Sequence, residues 1–133
     1  MLFYTDITPP RDDRLRTGLA HAVQQAATGE ILFYQHDLRM ADSGAFEAAL
    51  GAAAAKRLMK DRVIKLTPDL TLHLETERTR SAFQSGPIFA PFVSLTLLDT
   101  LKTDYRATDV IWSPWGDPEF QDFLAQNANA VQI

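Results

Sequence analysis

The spacing of apolar residues changes several times along this chain, and each change marks an element. Leu2 to Thr5 is a short apolar run that gives way to Asp6, Thr8 and Pro9-Pro10, as a strand does when it ends in a turn. From Arg11 to Ala27 the period becomes helical. Leu15, Leu19, Ala22, Val23 and Ala26 form one stripe, Arg14, Arg16, Gln24 and Gln25 fill much of the remaining surface, and Gly29 stands where a helix-ending glycine is expected. Glu30 to His36 (EILFYQH) is nearly continuously apolar, the mark of a strand buried on both faces. Asp42-Ser43-Gly44 offers helix-start chemistry for a second helix that should end near Arg62, its stripe being Phe46, Leu50, Ala53, Ala54 and Leu58.

Beyond Arg62 the period is two. Leu70, Leu72 and Leu74 alternate with Thr71, His73 and Glu75, and Pro68-Asp69 supplies a turn, so 63–67 and 70–75 are expected to pair as an antiparallel hairpin at a sheet edge. Thr76 to Gly86 is polar and reads as a long loop. Pro87 to Phe92 is a further strand. Ser94 is placed to cap a helix carrying Leu95, Leu98, Leu101 and Tyr105. Val110 to Ser113 is the last clear strand, followed by Asp117 at N-cap and Pro118 at N1 of a helix whose stripe is Phe120, Phe123 and Leu124. Residues 128–133 read as a short final strand or a tail.

The resulting order, β-α-β-α-(β-β)-β-α-β-α, predicts one α/β domain over 1–133. It is a three-layer, Rossmann-like arrangement with a mostly parallel central sheet, helices on both faces and an antiparallel edge hairpin around 63–75. A chain of 133 residues, 46% apolar and 23% charged, has the composition of an ordinary globular domain.

Composition narrows the chemistry further. With no cysteine there is no disulfide, thiol nucleophile or thiolate metal site. Met1-Leu2-Phe3-Tyr4 runs into Asp6 without the basic and apolar regions of a signal peptide, and no window reaches membrane-span length, so a soluble, cytoplasmic protein is the expectation. The net charge of −4 is uneven: residues 51–80 carry seven basic and four acidic groups, residues 81–133 two and six. An acidic chain repels a phosphate backbone at long range, which disfavours general nucleic-acid binding.

Catalytic signatures are mostly missing. The six glycines are scattered, so neither the dinucleotide fingerprint nor the P-loop is present. Ser94 and Ser113 lack the nucleophile elbow. His21, His36 and His73 have no zinc-ligand spacing, and no metal or cofactor is called for. Phosphotransferases of the haloacid dehalogenase type place an aspartate after the first strand and a second two residues on; here the second position is Thr8.

Ligands of open α/β sheets bind beyond the carboxyl ends of the strands. That rule nominates Asp6, His36 and Asp37 as a candidate divalent-metal or acid–base group, imidazole and carboxylate being the usual partners for either. It also nominates Pro91 to Ser94, and Ser113 to Asp117 with Ser113, Trp115 and Asp117 as binding candidates, Trp115 first among them because it stands just past a strand beside Gly116. Lys56, Arg57, Lys60, Arg62 and Lys65 form a basic cluster, of which 56, 57 and 60 share one side of the second helix as a positive face for an anionic partner, and Arg78 and Arg80 would extend it if the polar loop folds over it. The leading reading is a non-catalytic module that binds a protein or a second copy of itself, including through an edge strand near 70–75. The alternative is a small enzyme using Asp6, His36 and Asp37.

Overall fold

A computed structural model describes residues 1–41 and 44–133. Seven strands form one sheet in the order β3-β4-β2-β5-β6-β1-β7. In chain order the elements are β1 (Leu2–Tyr4), α1 (Arg11–Ala26), β2 (Gly29–Gln35), α2 (Leu38–Ala41), α3 (Ala45–Leu50), α4 (Ala52–Asp61), β3 (Val63–Thr67), β4 (Leu70–Thr76), β5 (Gly86–Pro91), α5 (Leu95–Lys102), β6 (Ala107–Ser113), α6 (Asp117–Gln126) and β7 (Val131–Gln132). All neighbouring strands are parallel except β3, which pairs antiparallel with β4 as the alternation of leucines predicts. The α/β class, the mostly parallel sheet and the edge hairpin stand as expected from the sequence.

The sheet is buried on both sides because its central strands are apolar on both sides. Ile31, Phe33, Leu72, Leu74, Phe89 and Ile111 point to one face, where Leu15, Leu19 and Ala22 of α1, Phe46 of α3 and Leu58 of α4 cover them. Leu32, Ile88, Val110 and Trp112 point to the other, against Leu97, Leu98 and Leu101 of α5 and Phe120 and Phe123 of α6. Phe83 joins this second core from the 77–85 connection, which crosses from β4 to β5 without a helix.

Several local expectations change. The second helix is not continuous: Gly51, at φ 85°, separates α3 from α4, and Ala53 is exposed. A backbone at that φ suits glycine and interrupts a helical run. The expected helix start at Asp42-Ser43 lies outside the described residues. Helix α1 ends on Ala27, at φ 53°, while Gly29 opens β2 instead. Asp117 lies inside the first turn of α6 with Gly116 at N-cap, and Leu124 is exposed. Tyr105 lies past the end of α5 and is 92% exposed. β4 is an interior strand, paired on both sides, so no edge is open at 70–75; the edges are β3 and β7.

Candidate functional site

The carboxyl ends of the parallel strands form one rim of the molecule. From β2 the chain turns toward β4 along the first face; from β5 it turns toward β6 along the second. The reversal falls between β2 and β5, the place where open sheets usually leave a crevice. Here protein groups bridge it. Gln35 donates its side-chain Nε2 to the Pro91 carbonyl at 2.8 Å, and the Ser94 amide donates to His36 Nε2 at 2.9 Å. Ser94 in turn caps α5, its Oγ accepting from the Leu97 amide. His36 therefore anchors the start of α5, with Nε2 used as an acceptor and Nδ1 3.5 Å from Glu77.

Asp6 is not brought to His36. β5 and β6 lie between β1 and β2, so the two strand ends stand three strand spacings apart, roughly 14 Å. Asp6 instead accepts from the Ile7 amide at 2.8 Å and shapes its own turn. His36 and Asp37 share an open cleft of about 590 Å³ with Arg39, Glu77 and Arg78. Among the described residues no group of three or more His, Asp or Glu side chains could hold a metal ion.

The basic residues divide in the same way. Lys56, Arg57 and Lys60 are exposed on α4 beside the first face, whereas Lys65, between Ile64 and Leu66 on β3, points away from that face. The loop with Arg78 and Arg80 packs on the opposite face, so it does not extend that patch. Arg80 leans to Glu75 at 3.7 Å and Arg78 lines the cleft beside His36.

The last strand end is different. Trp112 points into the second core, stacked on Phe123 at 4.4 Å with its indole N–H donating to the Val93 carbonyl. Ser113 is fully buried, accepting from Thr5 Oγ1 at 3.0 Å, and is not available as a surface binding residue. Two residues on, Trp115 is 61% exposed. Its ring meets Phe92 edge to face at 5.1 Å and 78°, and its amide donates to Glu119 Oε1. Phe92 has φ 66°, a conformation that bulky residues rarely adopt, and its amide donates to the Ser113 carbonyl at 2.9 Å. Asp117 is exposed and Glu119 half-buried; neither is in an ion pair among the described residues. Phe92 falls within the Pro91 to Ser94 segment that the strand-end rule nominates, although its contact with Trp115 is not legible in the sequence. Comparison with protein-family models, curated proteins and solved structures finds no match for this chain.

Proposed function

We propose that this chain is a non-catalytic α/β interaction module whose partner, another protein or a second copy, docks on the carboxyl rim at Trp115. One observation carries the reading: a tryptophan mostly exposed to water yet held in place by a ring beneath it. Large aromatics that are rigid before binding lose little entropy on docking and serve as interface anchors. The carboxylates of Asp117 and Glu119 beside it favour a partner that presents basic groups around an apolar one. A second copy carries such groups on α4 at Lys56, Arg57 and Lys60. The alternative of an enzyme loses its central pairing, since Asp6 and His36 end strands that are not neighbours.

A photo-crosslinking side chain at position 115 tests the proposal in extract of the native host. A discrete adduct, suppressed by excess unlabelled protein but not by excess Trp115→Ala protein, is the expected result. Adducts that the two competitors suppress equally would overturn it.

A further inference from the structure

Arg14 lies in the first turn of α1 and is only 8% exposed. Its Nη1 donates to the Ile7 carbonyl at 2.7 Å, but its Nε is buried without a hydrogen-bond partner. A guanidinium has five N–H donors, so the Ile7 bond accounts for one of them. No carboxylate pairs with Arg14 among the described residues. The two acids of the same turn are held by other arginines, Asp12 by Arg11 at 3.0 Å and Asp13 by Arg16 at 3.1 Å. Burial first, and the positive charge of Arg11 second, push the Arg14 guanidinium below its usual basicity. A buried cation with a like charge beside it and no counter-charge among the described residues is costly, and a bound anion is a natural compensation.

The surroundings suit an anion. Pro10 at the N-cap makes no side-chain cap bond, so the amides of the first turn of this sixteen-residue helix lack that partner. A helix N-terminus carries partial positive charge and favours anions. Helical side chains lean toward the N-terminus, which carries the Arg14 guanidinium back over the turn that it touches at Ile7. This turn follows β1 on the carboxyl rim, where the sheet's architecture places ligands.

We propose that the turn between β1 and α1 is an oxyanion-binding site, in which Arg14, Arg11 and the first amides of α1 hold a phosphate or carboxylate group of a small ligand. Arg14 matches either group through its planar fork. The site is independent of Trp115 and would stand if docking there failed.

Thermal unfolding with inorganic phosphate, acetate or chloride at matched ionic strength tests the site on the whole chain. The wild-type melting temperature should rise saturably with phosphate or acetate beyond the chloride control, by a few degrees once the anion exceeds its Kd about a hundredfold. Arg14→Met keeps the bulk of the side chain without the charge, and should fold and lose the response. Arg11→Gln, at a half-exposed position, should weaken the anion at least fivefold and serves as the second variant if Arg14→Met fails to fold. A wild-type response to both anions no larger than to chloride would overturn the proposal. So would a response of Arg14→Met or Arg11→Gln equal to that of the wild type.

Discussion

Arg106 reaches under the 77–85 connection to grip Glu75 with both ends of its fork, Nη1 to Oε1 at 3.0 Å and Nη2 to Oε2 at 2.8 Å. Both side chains are buried, and Asp104 takes the remaining Nε and Nη2 bonds while Ser81 gives Glu75 its amide and hydroxyl. Phe83 lies against Arg106 at 5.4 Å. The pair thus fastens a helix-free crossover to the sheet. Removing one partner strands the other charge: Arg106→Met should cost about 3–5 kcal/mol in urea unfolding. Pairing that change with Glu75→Leu should recover most of the loss. A double variant as weak as the single one would show that the connection needs the charges themselves.

The same group gives the protein an acid-sensitive term. Burial raises the Glu75 carboxyl, but the bonds from Arg106 and Ser81 outweigh it and hold the group below its usual 4.5. The Arg106 bond acts likewise on Asp104. A depressed folded value means that the unfolded chain takes up protons first as pH falls. The stabilisation is therefore full above about pH 4.5 and disappears as pH drops through the folded values. Glu75→Gln should have a shallower fall of stability with pH below that point, measured by urea midpoints at successive pH values. Parallel curves for the two proteins would contradict it.

His36 holds the start of α5 through the Ser94 amide. Replacing it by Ala orphans the half-buried Ser94 amide, which should cost about 1–2 kcal/mol and raise amide exchange at Ser94 and Leu97. Unchanged exchange there would show that water serves the amide as well as the imidazole does.

Local chemistry was legible where one segment decides the outcome. The stripe of α1, the Ser94 cap and the 63–75 hairpin each follow from neighbouring residues alone. Strand order does not. After β1 the chain skips two positions that β5 and β6 fill only later, and the distance between Asp6 and His36 depends on that skip. Arg14 reads as surface in a helical pattern, because nothing nearby in sequence tells that the β1–α1 turn closes over it. Trp115 was visible as a candidate and Phe92 lay in the nominated segment 91–94; that their rings meet was not legible, since they follow different strands.

Gly86 shows how closely β5 is seated. A Cβ there would collide with the backbone carbonyl of Glu30, which cannot swing aside as a side chain can. At Gly29 a Cβ would meet nothing within 4 Å, although its φ of 107° also disfavours other residues. Gly86→Ala should therefore destabilise more than Gly29→Ala, by about 1–3 kcal/mol from the clash alone. Equal chemical-denaturation midpoints would mean that β2 and β5 separate more easily than their packing implies.

The two tryptophans separate spectroscopically, which makes the docking reading measurable. Trp112 is buried and stacked, whereas Trp115 is mostly in water, so red-shifted and acrylamide-quenchable emission belongs to Trp115. Trp115→Ala should leave a blue-shifted, poorly quenched spectrum and lose no more than about 1.5 kcal/mol of stability, the upper range for one aromatic pair. The same substitution should weaken a partner that docks there roughly thirtyfold, the effect of losing an interface anchor worth about 2 kcal/mol. Because Asp117 follows Trp115 in the chain and Glu119 accepts from its amide, added salt should weaken that binding further by screening a basic partner. Binding that is indifferent to salt and to Trp115→Ala would place the interface elsewhere on the molecule.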